Sequence, residues 1–329
     1  MKANTAATLC TERTVSIDIS PVWPNSNVNE RMIDLIRCHD AGVIAPVVGA
    51  DSLPDGAVLI DVRWYLDGRD GRAAYEAGHL PGAIWIDLER DLSRHDLAAS
   101  EGRHPLPAPA AFAAAMSALG IGDDTVVVAY DDTGGVTAGR LVVMLRMLGR
   151  SAALLDGGLG AWIADGRPLE IGPSTNAVRT TASSTARFTI TDWPQHRLAS
   201  ADEAADLAAN GGAVLDSRAH ERFTGEQVLI DPRPGHMPGA RSAPWAALQR
   251  PDGRLLDRAE LRAHFHGLGA DQVETPVAYC GSGVSACLNV LAMEHAGLAP
   301  ARLFVGSWSG WAADPSRPVE VGDTARAES

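Results

Sequence analysis

Short apolar runs rich in β-branched residues alternate along this chain with longer stretches rich in alanine and leucine. That alternation predicts an α/β fold around a mainly parallel sheet, with helices covering both faces. Val126 to Tyr130 and Val277 to Tyr279 carry no charged residue, as expected of central strands buried on both sides. Helices are predicted at about Thr137 to Leu148 and Ser285 to Ala296, stopped by Gly149 and Gly297 respectively.

The pattern occurs twice. Leu59-Ile60-Asp61-Val62-Arg63 matches Val214-Leu215-Asp216-Ser217-Arg218, and Gly78-His79-Leu80-Pro81-Gly82-Ala83 matches Gly235-His236-Met237-Pro238-Gly239-Ala240. Each half closes on a segment of glycine and tryptophan, Leu154 to Trp162 and Leu303 to Trp311. An internal repeat of this kind predicts two copies of one domain. Pro173 to Ala186 is rich in Ser and Thr and reads as the connection between them. The expected organisation is an extension at 1–52, a first domain at 53–172, a linker at 173–188 and a second domain at 189–329. Glu30 to Ile36 is compatible with a short helix in the extension.

Composition narrows the function classes. The 329 residues and 46% hydrophobic content suffice for two cores. No apolar run reaches the length of a membrane span, and Met1 to Val15 lacks the marks of a secretion signal or transit peptide, so a soluble, cytoplasmic protein is expected. A net charge of -13 argues against nucleic acid as a partner. Cys10, Cys38, Cys280 and Cys287 are scattered, which fits reduced thiols better than a disulfide framework or a zinc site.

Cys280 is the chemical focus. It ends a strand and opens Cys280-Gly281-Ser282-Gly283-Val284-Ser285, the loop that leads into a helix. Backbone N–H groups and the positive end of the helix dipole favour a thiolate there. Gly281 and Gly283 permit positive φ and close approach of a ligand, while Ser282 and Ser285 add hydroxyl donors. The first copy carries Asp131 at the position of Cys280, so only the second copy can supply the nucleophile. A buried structural cysteine would need neither the glycines nor the hydroxyls.

These residues resemble the tandem-domain rhodanese family of sulfurtransferases over roughly Leu53 to Val321. The paired Asp-x-Arg strands, the paired Gly-His-x-Pro-Gly-Ala turns and the Gly-Ser-Trp-Ser-Gly-Trp ending at Trp311 carry the resemblance. It implies an inactive first domain, a catalytic second domain and a persulfide on Cys280. The loop is similar to that of the family's 3-mercaptopyruvate sulfurtransferases, Cys-Gly-Ser/Thr-Gly-Val-Thr. Thiosulfate-preferring members carry Arg and Lys after the cysteine, and neither is present here.

The resemblance also implies that Arg222 holds the substrate anion, with Arg233 as a displaced second arginine, and that Gly281, Gly283, Val284 and Ser285 line the substrate. It implies a serine-protease-like arrangement in which Asp70 and His79 reach Ser282. His236 occupies the same turn in the second copy, so a structural His79 stays open. Arg218, mirrored by Arg63, reads as structural, and Cys287 as a core thiol. The expected partners are a small-molecule sulfur donor and an acceptor: cyanide, or a thiol such as a thioredoxin-like protein. No metal or organic cofactor is implied. Two alternatives remain, thiosulfate as the donor and a noncatalytic rhodanese-like module. A cysteine phosphatase would need Arg at position 286, which is Ala286.

Overall fold

The computed structural model describes residues 44–174 and 186–323. Cys10, Cys38, the helix expected at Glu30 to Ile36 and most of the connecting segment lie outside the described residues.

The first half contains β1 (Val47–Val48), β2 (Val58–Asp61), α1 (Gly71–Ala77), β3 (Ile84–Trp85), α2 (Leu88–Asp91), α3 (Pro109–Ala118), β4 (Val127–Tyr130), α4 (Val136–Met147), β5 (Ala152–Leu155) and α5 (Gly158–Ala164). Its strands form a parallel sheet in the order β1-β5-β4-β2-β3. The second half contains α6 (Ala201–Ala209), β6 (Val214–Asp216), α7 (His220–Thr224), β7 (Arg241–Ser242), α8 (Arg258–Gly267), β8 (Val277–Tyr279), α9 (Ala286–Ala296), β9 (Arg302–Leu303) and α10 (Ser307–Ala313). Its sheet is also parallel, in the order β7-β6-β8-β9. An isolated parallel bridge, Leu198 to Leu303, stands where β1 stands in the first half.

One boundary needs correction. Val47 and Val48 pair with Leu154 and Leu155, so the first sheet begins inside the span assigned above to the extension. A two-residue edge strand has no period to read.

Helices α4 and α9 are apolar nearly all round, and a helix of that kind needs cover on every side. Each lies on its own sheet and against the other, with Leu141, Val142, Leu288 and Leu291 in one core that spans both halves. Gly139 lies at the crossing, where a Cβ would stand in ordinary contact with α9, 3.7 Å from Leu288 N. An ion pair of 2.5 Å from Arg146 on α4 to Glu294 on α9 crosses the same boundary. Burying one Leu or Ile side chain contributes about 1.5–3 kcal/mol, so the shared core holds the halves as one body.

Candidate active site

Cys280 leaves the C-terminal end of β8 and is buried, with 1% of its surface exposed. Its Sγ accepts from the Gly283 N–H at 3.1 Å. Gly283 has φ +77°, and a Cβ there would stand 2.6 Å from the Val305 carbonyl oxygen, so this turn of the cradle requires glycine. Gly281 differs from expectation, because it is not among the positive-φ residues. Its missing Cβ leaves room for cations instead: the atom would lie 3.1 Å from both Arg103 Nη2 and Arg222 Nη2. The Gly-Ser-Trp segment holds the loop from behind. Trp308 N and Ser309 N donate to the carbonyls of Cys280 and Gly281, each at 2.9 Å, and Cys280 N donates to Ser307 Oγ at 3.2 Å. Val284 is buried, and Ser285 caps α9 without a side-chain bond.

The partner of Ser282 is not His79. Ser282 Oγ lies 2.8 Å from Nδ1 of His104, and Nε2 of the same ring lies 3.1 Å from Glu89 Oε1. The ring is therefore oriented with Nε2–H donating to the carboxylate and Nδ1 accepting from the hydroxyl. Glu89 stands in the first turn of α2, capped by Asp87. The hydrogen bond from His104 holds the Glu89 carboxyl below its usual range. His104 is packed edge-on against Trp64, with ring centroids 5.3 Å apart. Its own carbonyl accepts from the fully buried Arg140 at 2.9 Å, while Arg140 Nη1 donates to the Gly283 carbonyl at 3.0 Å. One guanidinium on α4 thus ties the histidine to the cysteine loop.

Asp70 and His79 serve other ends. Asp70 is the N-cap of α1 and accepts from the backbone N–H groups of Arg72 and Ala73. His79 is fully buried, stacks on Tyr75 at 3.9 Å and donates from Nδ1 to the Tyr75 carbonyl. His236 repeats this, stacked on Phe223 at 3.6 Å and bonded to the Phe223 carbonyl. The turn histidines pin each turn to the helix or helical turn before it.

Arg222, on α7, faces Gly281 as expected and bonds Asp231 Oδ2 at 2.7 Å. Arg233 does not join it. Its guanidinium is occupied by the carbonyls of Trp311, Ala312, Asp314 and Arg317 at 2.8–3.1 Å. Arg218 forms a buried fork with Asp216 and donates to the Gly235 carbonyl, as Arg63 does with Asp61 and Gly78. Cys287 is fully buried, and burial pushes its thiol up to about 12. Among the described residues no group of His, Cys, Asp and Glu is placed to hold a metal, and no helix is long and apolar enough to cross a membrane.

The family profile described as "Rhodanese-like domain" matches this chain twice, at residues 50–165 and 200–314. The chain belongs to the rhodanese-like family. A Pseudomonas aeruginosa protein named "Probable 3-mercaptopyruvate sulfurtransferase" is 42% identical over 276 residues, covering 83% of this chain and 94% of that protein. SseB of Mycobacterium tuberculosis, provisionally named a thiosulfate sulfurtransferase, is 38% identical over 84% of this chain and 95% of its own length. Among solved structures, the 3-mercaptopyruvate sulfotransferase SseA of Escherichia coli superposes with a TM-score of 0.67 at 30% identity, covering 80% of this chain and 99% of that one.

The two rhodanese-like halves face each other reciprocally. Gly102-Arg103-His104 of the first half lies over α10 of the second, where a Cβ on Gly310 would stand 2.5 Å from the Ser100 carbonyl oxygen. Gly253-Arg254-Leu255 of the second half lies over the start of α5, with Leu255 N donating to Asp156 Oδ1 at 2.8 Å. In the repeat Leu255 takes the place of His104. That mismatch between repeats was the available sequence signal for His104. Glu89 gave none, because acidic residues in a first helical turn are common for electrostatic reasons alone.

Asp131, in the place of Cys280, fills its own cradle. Its carboxylate accepts from the N–H groups of Thr133, Gly135, Thr137 and Ala138 and from Thr137 Oγ1, at 2.7–2.9 Å.

Proposed function

We propose that this protein is a sulfurtransferase that takes sulfur from 3-mercaptopyruvate onto Cys280 and passes it to a thiol or cyanide, releasing pyruvate. The Glu89–His104–Ser282 chain beside a cradled cysteine carries this reading, because 3-mercaptopyruvate, unlike thiosulfate, needs a proton moved. The Cys280 thiolate attacks the donor sulfur, so an S–S bond forms as the C–S bond breaks, and the electron pair passes to the pyruvyl methylene carbon. The donor's thiol proton is taken by His104 through Ser282 and returned to that carbon, giving pyruvate and a Cys280 persulfide anion. Glu89 steadies the transient imidazolium. The Gly283 N–H and the start of α9 favour the anion left on the loop. An acceptor thiolate or cyanide then attacks the outer sulfur and frees the Cys280 thiolate.

The similarity to proteins named 3-mercaptopyruvate sulfurtransferase supports the donor, as does a loop with no basic side chain after the cysteine. The test is to measure kcat/KM on mercaptopyruvate and on thiosulfate, with pyruvate release followed directly. Higher efficiency on thiosulfate would replace this donor with the alternative, and no sulfur transfer from either donor would favour a noncatalytic module.

A further inference from the structure

Two guanidiniums from different halves converge on Gly281. Arg222 comes from α7, and Arg103 comes from the segment that also carries His104. Asp231 stands between them and is nearly fully buried: its Oδ1 pairs with Arg103 Nη1 at 2.5 Å and its Oδ2 with Arg222 Nη2 at 2.7 Å. Each arginine spends only part of its donor fork on this carboxylate, and Arg103 Nε is shielded from water with no hydrogen-bond partner. Two cations and one carboxylate leave the cluster with a formal charge of +2 − 1 = +1.

We propose that Arg103 is a second anion-binding residue of the site, acting with Arg222 across the domain boundary, and that Asp231 sets the clamp to accept a monoanionic donor over a dianionic one. The inference rests on the reading of Cys280 as the sulfur acceptor. Arg233 and Arg140 are bound to backbone carbonyls, so the guanidinium that joins Arg222 over Gly281 is that of Arg103. Asp231 holds both forks in place before substrate arrives, which lowers the ordering cost of binding. A carboxylate seated over Gly281 can take donors from both arginines while its sulfur end faces Cys280. A dianion in the same partly buried space would carry one charge unmatched.

The test uses the full chain and two alkylating agents with the same leaving group, iodoacetate as a monoanion and iodoacetamide as its neutral counterpart. The ratio of their rates at Cys280, followed by mass, cancels changes in the thiol itself. Arg103→Met should lower the iodoacetate-to-iodoacetamide ratio about fivefold or more, and Asp231→Asn should raise it by a similar factor. Asp231→Asn should also shift kcat/KM towards thiosulfate relative to mercaptopyruvate by about tenfold. Should Asp231→Asn fail to fold, Arg103→Met on its partly exposed side chain still decides. An unchanged ratio in Arg103→Met overturns the clamp, and an unchanged donor preference in folded Asp231→Asn overturns its selective role. A ratio that moves as expected in a protein that does not use mercaptopyruvate leaves the clamp standing and removes only the donor.

Discussion

Ser282 and His104 meet at 2.8 Å across the boundary between the two halves, although 178 positions separate them in the chain. The cysteine loop and the histidine that bonds its serine therefore sit on different domains, and the shared core of α4 and α9 fixes their spacing.

Removing the histidine separates the two assignments. His104→Gln should lower turnover on mercaptopyruvate by about a hundredfold or more, the usual contribution of a general acid-base group. His79→Gln should instead lower the urea midpoint while the remaining folded enzyme keeps kcat near the parent value. Steady-state kinetics beside urea titration checks both, and a large kcat loss in His79→Gln with unchanged stability would restore the expectation it replaces.

Sulfur loading should be confined to one thiol. Treatment with donor should raise the intact mass by about one sulfur atom, and Cys280→Ser should remove the increase. Cys287→Ser should retain it, because burial in the first turn of α9 pushes that thiol up to about 12 and keeps it protonated. Loss of the increase in Cys287→Ser alone would reverse the assignment.

Arg233→Met should behave as a stability variant. The carbonyls of Ala312 and Arg317 would lose this donor, while those of Trp311 and Asp314 keep a backbone N–H, at about 1–3 kcal/mol for each one left unsatisfied and buried. Differential denaturation should show the loss. KM for mercaptopyruvate should change little in the fraction that stays folded.

Stability should fall on mild acidification. Burial holds His236, His264 and His295 below the ordinary histidine value of 6.5. The unfolded chain then binds more protons than the native one just below that value, so the penalty grows as pH falls from about 6.5 towards the native values and is absent above. Urea midpoints measured from pH 8 to 5.5 should decline, and His236→Gln should flatten part of the slope.

The fold was legible because its evidence is periodic and doubled. The β4 and β8 runs, the helix-ending glycines and the paired turns each occur twice, so one copy corroborates the other. The cysteine loop was legible for the same reason, since Asp131 marked which copy differs. The residues that complete the site were hidden because their roles arise between domains. His104 and Arg103 face a loop of the other half, and nothing local to Gly102-Arg103-His104-Pro105 states what it will face. His79 misled because a motif histidine beside Gly and Pro looks functional, whereas the ring stacks on Tyr75, bonds the Tyr75 carbonyl and does not reach Ser282. Arg233 misled through proximity in sequence: its side chain turns away to the end of α10.

The Asp131 cradle has a further consequence. A carboxylate fixed by five donors at the loop that matches the Cys280 cradle makes the first half a self-ligated version of the second. It resembles a receptor fused to its own antagonist, and its loop has no empty state to visit. Asp131→Cys would therefore vacate that seat without creating a second reactive centre, because the residue that matches His104 in the repeat is Leu255, which can neither give nor accept a proton.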